Sequence, residues 1–187
     1  LAPKESSLYI DRGFLKNIRK DFHSAIQDLN KALLLNSKDE SAYLQRARSK
    51  FYLNEHEKAI NDIDMALRIS PRFYEALIFK GEIYSILEDY EKALNCFNIG
   101  VTINSNDSNV YIKRGRAELY SGNSENALKN FDLSILIEKN ELAYINKAYF
   151  YKIEKDFNKA IENYNLALEI NPENMNIIFF RALCKIE

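Results

Sequence analysis

Tryptophan is absent from this 187-residue chain, and the other scarce residues are 5 Gly, 3 Pro and 2 Cys. Glycine and proline supply the turn conformations that hairpins and phosphate-cradling loops depend on. So few of them leave little room for β-meanders or for the common cofactor-binding α/β folds. The two cysteines, Cys96 and Cys184, cannot build a disulfide framework or a metal cluster. A charge excess is missing too: 26 Lys+Arg stand against 27 Asp+Glu, a net charge of −1. That balance argues against a broad nucleic-acid or anionic-membrane footprint. No apolar run approaches the roughly 18 residues that a membrane helix needs. The chain opens Leu1-Ala2-Pro3, without an initiator Met and without a charged start followed by an apolar stretch, so no signal peptide is legible. A fragment or processed form is expected, and the compartment stays open, with the cytoplasm as the default.

What is present is helical. At 47% hydrophobic and 28% charged, the composition belongs with globular proteins and away from disordered ones. A repeat then sets the architecture. A small residue recurs at Ala25, Ala59, Ala93, Ala127 and Ala160, with spacings of 34, 34, 34 and 33. A second small column lies seven residues on, at Ala32, Ala66, Gly100, Ser134 and Ala167. Seven residues is two helical turns, so both columns lie on one face that another helix can approach closely. The first half of each repeat has its own small column, at Gly13, Ala47, Gly81, Gly115, Ala148 and Ala182, flanked by apolar residues at helical spacing. Between the halves lies a polar hinge: Lys20-Asp21, Asn54-Glu55, Glu88-Asp89, Gly122-Asn123 and Lys155-Asp156. Asp21, Asp89, Asn123 and Asp156 are expected N-caps of the second helix.

This order (an aromatic residue, a small one, Tyr, Ala, an aromatic, Ala, then Pro) resembles the tetratricopeptide repeat, TPR. The resemblance covers one domain, 1–187, with repeats 6–39, 40–73, 74–107, 108–140 and 141–174, then a partial sixth repeat or capping helix at 175–187. Tyr9, Tyr43, Tyr111 and Tyr144 stand at the Trp position of the pattern, and the fourth repeat lacks one residue around Glu138–Asn140. The fold implied is all-α: a TPR solenoid of antiparallel helix hairpins stacked into a right-handed superhelix, because no hairpin buries its apolar face alone. His56 stands where Phe22, Tyr90 and Phe157 pack in other hinges, and a structural role is expected for it and for His23.

No phosphate loop, zinc-protease motif or nucleophile elbow is found. No catalysis, cofactor, metal or small-molecule substrate is expected. A base precedes each small residue of the first helices, at Arg12, Arg46, Lys80, Arg114, Lys147 and Arg181, and the column Asn30, Asp64, Asn98, Asp132 and Asn165 faces it in register. The expected role is structural, each base bonded to that column, rather than a ladder for an acidic polymer.

By resemblance, function lies on a concave face lined by the first helices. That face includes Ile10, Leu44, Ile78, Ile112, Ile145 and Phe179. One residue on come Asp11, Gln45, Phe79, Lys113, Asn146 and Phe180, and a turn beyond the first column come Phe14, Arg48, Glu82, Arg116, Tyr149 and Leu183. Two readings of the apolar column stay open: it lines a groove for a peptide or helical segment, oriented by Arg48, Lys113 and Arg116, or it tucks against the adjacent helix. The Lys/Asn/Arg clamp by which some TPR proteins grip the C-terminal carboxylate of chaperones is not matched. The first repeat offers Ile10 and Phe14, the second Gln45, and the third Glu75 and Phe79.

The last helix is apolar on more than one side. Ile177, Phe180, Leu183 and Cys184 are expected to meet a next repeat, a partner or a second copy. The function expected is a protein-interaction scaffold that binds a peptide or helix of a protein partner. The rival is a self-assembly module joined through the C-terminal helix. RNA recognition is a third reading, set back by the near-neutral charge.

Overall fold

The structure, a computed structural model, describes residues 2–186, with side chains from residue 5 onward. Among them are eleven α-helices and no strand: α1 (Ala2–Ile18), α2 (Phe22–Leu35), α3 (Glu40–Tyr52), α4 (His56–Ile69), α5 (Tyr74–Ile86), α6 (Tyr90–Ile103), α7 (Ser108–Tyr120), α8 (Ser124–Ile137), α9 (Glu141–Ile153), α10 (Phe157–Ile170) and α11 (Met175–Leu183). The fold is an all-α helical-repeat solenoid, with odd-numbered helices as first and even-numbered helices as second members of the repeats. The chain forms two compact units, Leu1–Leu87 and Glu88–Glu187.

Each hinge works through its backbone. Lys20, Asn54, Glu88 and Lys155 have φ near +60° and Gly122 has φ +87°, the left-handed conformation that ends a helix. The next residue then bonds back across the turn: Asp21 N–H to Lys16 O at 2.9 Å, Glu55 to Lys50 at 2.9 Å, Asn123 to Glu118 at 2.8 Å and Asp156 to Tyr151 at 2.9 Å. Asp21, Asp89 and Asp156 cap the following helices, accepting from Ser24, Lys92 and Lys159 N–H. Asn123 holds the cap position of α8 but its side chain accepts no hydrogen bond there, so its expected side-chain capping role is corrected. The connection at 138–140 is one residue shorter than those at 36–39, 70–73, 104–107 and 171–174, which places the deletion in a loop. Asn140 still caps α9 there, accepting from Ala143 N–H at 2.8 Å.

Within a hairpin, small residues set the helix separation. A Cβ on Gly13 would lie 2.8 Å from Leu29 Cγ, and one on Gly115 would lie 2.6 Å from the Phe131 ring. The first helix thus supplies a notch, and the second supplies a large residue between two small ones: Leu29 between Ala25 and Ala32, Phe131 between Ala127 and Ser134. In the N-terminal unit Leu44, Ala47, Ile63, Ala66, Phe79 and Ile83 form a core cluster. In the C-terminal unit Tyr144, Ala148, Tyr164, Ala167, Ile177 and Cys184 form another. His56 packs against Phe51, with ring centroids 5.3 Å apart.

Candidate functional site

The basic column is engaged in bonds. Arg12 grips Asp28 with two donors, Nε at 2.7 Å and Nη2 at 2.6 Å. Arg46 grips Asp62 in the same way, at 2.9 and 2.6 Å, and reaches Asn30 on the preceding repeat through Nη1 at 2.7 Å. Arg114 bonds Asn130 through Nε at 2.6 Å and Asn98 through Nη1 at 3.1 Å. Lys80 and Lys147, with one point charge each, pair at 2.6 Å with Asp64 and Asp132 of the preceding repeats. Arg181 reaches Asn165 at 2.8 Å. The expected acceptor column is therefore used, and a second one, Asp28, Asp62 and Asn130, lies two residues before it in sequence. A planar guanidinium has two edges, and Arg46 and Arg114 use both to tie their own second helix to the preceding one. Lys16 and Lys50 add a second cation to Asp28 and Asp62, each at 2.7 Å. Hydrogen bonding from Arg12, then from Lys16, outweighs burial and holds the Asp28 carboxyl down at about 2.

Of the two readings of the aliphatic column, burial favours the one in which Leu44, Ile78 and Ile112 tuck against adjacent helices rather than line a groove, while Phe179 is exposed. Leu44 is 3% exposed and Ile112 2%, Ile78 is buried, and Ile10 and Ile145 are half-buried against neighbouring helices. Phe79 and Asn146 are buried as well, Asn146 donating to Leu142 O at 2.7 Å. Leu44, Ile78, Phe79, Ile112 and Asn146 fill the seam between helices and offer a ligand little surface, whereas Ile10 and Ile145 keep part of theirs.

Other residues of the expected face do reach solvent. In the N-terminal unit Phe14 is 46% exposed, while Gln45, Arg48 and Glu82 are half-buried. Arg48 lies over the Phe79 ring at 5.4 Å, with its Nε buried and bonded to nothing. In the C-terminal unit Lys113 is half-buried, and Arg116 and Tyr149 are exposed. Arg116 makes no hydrogen bond or ion pair among the described residues. The Tyr149 hydroxyl is pushed up by a hydrogen bond with Tyr120 and by burial, with Arg116 acting the other way.

One column escaped the sequence reading. Ile18, Tyr52 and Ile86 of the N-terminal unit, and Tyr120 and Ile153 of the C-terminal unit, are all exposed in the last turn of their first helices. Tyr52 stacks on Phe22 at 4.9 Å and Tyr120 on Tyr90 at 6.0 Å. The signal was in the sequence, four residues beyond the Phe14 column and apolar or aromatic in every repeat.

At the C-terminal helix, Ile177 (1% exposed) and Cys184 are core residues, which corrects their expected place on a surface. Phe180 is 40% exposed and stacks on Tyr164, and Leu183 is half-buried. The open face instead carries Met175, Phe179 and Ala182. Among the described residues no three His, Cys, Asp or Glu side chains group to hold a metal ion, and no helix is long and apolar enough to cross a membrane.

The family model for the tetratricopeptide repeat matches residues 74–107 and 142–174. No curated protein matches the chain in sequence. Solved structures match its fold. TTC0263, a thermophilic TPR protein of Thermus thermophilus, is 18% identical with a TM-score of 0.78, over 97% of this chain and 100% of its own. Pseudomonas aeruginosa pilF is 19% identical with a TM-score of 0.83, over 98% and 88%. YrrB, a TPR protein with an unusual peptide-binding site, is 22% identical with a TM-score of 0.73, over 93% and 90%. Two repeats of the chain match the tetratricopeptide-repeat model, and the helix hairpins from α1 to α11 share the fold of these TPR structures.

Proposed function

We propose that the chain is a scaffold that captures a peptide or helical segment of a partner protein on the open faces of its first helices. TPR proteins bind protein or peptide partners, and the family is generally non-enzymatic. YrrB, which shares the fold, has a peptide-binding site. Affinity comes from the exposed rim rather than from the buried aliphatic column. In the C-terminal unit that rim is Tyr120, Tyr149 and Ile153, with Arg116 as its charged group. In the N-terminal unit it is Phe14, Ile18 and Tyr52, with Arg48. Exposed aromatics and arginine are the residue types that anchor protein interfaces.

The observation that carries this reading is Arg116. Its helix-mate Arg114 is bonded to two amides, whereas Arg116 stands among exposed tyrosines without a partner. Replacing Arg116 by Glu together with Tyr149 by Ala should weaken an isolated partner at least tenfold while leaving the helical spectrum unchanged, since neither residue is in the core. Undiminished affinity in the folded variant would refute the role of this face.

A further inference from the structure

The faces of α7 and α9 stay open inside the repeat array. Both helices are packed on the helix before and the helix after them. Even so, Asn109, Arg116 and Tyr120 of α7 and Leu142, Tyr149 and Ile153 of α9 are exposed. Each set follows at i, i+7 and i+11, on one side of its helix. Phe14, Ile18 and Tyr52 are exposed at the corresponding positions of earlier repeats, so the opening belongs to this face wherever it recurs.

The charge on the α7 and α9 face has one sign. These two helices carry Lys113, Arg114, Arg116, Lys147 and Lys152 against Glu118 and Glu141. Among their exposed residues Arg116 is the one ionised group. Glu141 is taken up by the amides of Asn171 and Asn174. Lys147 is paired with Asp132. Arg114, by contrast, is held by the neutral amides of Asn98 and Asn130, where Arg12 and Arg46 meet the carboxylates of Asp28 and Asp62. Lys152 lies over the Phe180 ring at 5.7 Å. The second helices α8 and α10 have the opposite balance, Glu125, Asp132, Glu162 and Glu169 against Lys129 and Lys159. The first helices of the N-terminal unit place Asp11, Glu75 and Glu82 in the columns of Lys113, Asn109 and Arg116, which confines the basic face to the C-terminal unit.

We propose that the face of α7 and α9, given that it captures a partner segment at all, takes an acidic one, in which side-chain carboxylates alternate with aliphatic residues. One carboxylate bonds the Arg116 guanidinium, and the Tyr120 hydroxyl donates to its other oxygen. The Tyr149 hydroxyl is hydrogen-bonded to Tyr120, which leaves the Tyr120 O–H to donate outward. The aliphatic neighbours lie on the Tyr149 ring and Ile153. A carboxylate here finds an unpaired cation and no like charge, whereas a basic segment meets Lys113, Arg116 and Lys152.

The probes are three short peptides, repeats of Glu-Leu-Glu-Ala, Gln-Leu-Gln-Ala or Lys-Leu-Lys-Ala, blocked at both ends so that only side chains carry charge. Each bears one Trp. The chain contains none, so emission anisotropy reports the peptide alone. The Glu peptide should saturate and bind about tenfold tighter than the Gln peptide, with the Lys peptide weakest. Arg116→Gln should erase the difference between Glu and Gln while the helical spectrum stays intact, since Arg116 is exposed. Lys129→Gln removes an equal charge from α8 and should change nothing. Equal binding of the Glu and Gln peptides, both lost in Tyr149→Ala, would overturn the acidic preference and leave the capture face standing. Absence of saturable Glu-peptide binding up to millimolar concentration also overturns the proposal. If the isolated partner then binds the Arg116→Glu, Tyr149→Ala chain undiminished, the capture face falls with it. Equal losses in Arg116→Gln and Lys129→Gln, tighter binding of oligouridylate than of the Glu peptide at Arg116, or light scattering that shows copies associating through Arg116 would each overturn it too.

Discussion

At the scale of single residues, the stabilising polar unit is an arginine bonded to its own second helix, and in Arg46 and Arg114 to the preceding one as well, with a tyrosine beneath it. Arg12, Arg46 and Arg114 lie over Tyr9, Tyr43 and Tyr111 at 5.2, 5.4 and 5.1 Å, so tyrosine at the Trp position supplies a cation–π surface three residues before the base. Asp28 is the most perturbed member, its carboxyl at about 2 against an ordinary 3.8. A carboxyl lowered by folding contributes stability that is complete above the unfolded value and is lost as pH falls through the folded one. Between pH 4 and pH 2 the N-terminal unit should therefore lose up to about 2 kcal/mol through this group. Urea titrations of the native chain and of Asp28→Asn should converge by about that much over this window, and a gap independent of pH would contradict the assignment. The base column was legible because it interrupts an apolar pattern in every repeat. The second acceptor column was not, because its third member is Cys96 and the regularity is broken there.

At the scale of the element, the hinges show what a sequence conceals. Five polar pairs marked the turn correctly, yet only Gly122 and Asn54 are of the types that favour the left-handed residue that makes it. Lys20, Glu88 and Lys155 adopt the same conformation against their intrinsic preference, at a cost of roughly 1–2 kcal/mol each. Gly122→Ala should thus destabilise the C-terminal unit by about 1 kcal/mol, and through the backbone alone, because no atom lies within 4 Å of the added Cβ. Lys155→Gly should stabilise it by up to about 1 kcal/mol. Thermal unfolding of the two variants tests both signs. Helix existence and order were readable because the hairpins repeat. Which apolar stripe faces inward was not, since Leu77, Ile78 and Phe79 are consecutive and all buried.

At the scale of the whole chain, a repeat makes the fold legible and the site obscure for one reason. A column that is apolar in every repeat is required wherever helices meet their neighbours, and the aliphatic column at Leu44 and Ile112 is such a seam. The proposed binding surface shares the period only where its exposed positions do, as at Tyr52 and Tyr120, and burial rather than hydrophobicity separates the two cases. The central claim is that partners are held by the first-helix faces. Its most direct measurement is site-specific photo-crosslinking in native extract, with benzoylphenylalanine in place of Tyr120 or of Leu136, an 81% exposed residue of the second helix α8. The account predicts discrete adducts from position 120 that the Arg116→Glu, Tyr149→Ala chain loses, and none from position 136. Equal adducts from both positions, or adducts from 136 alone, would contradict it.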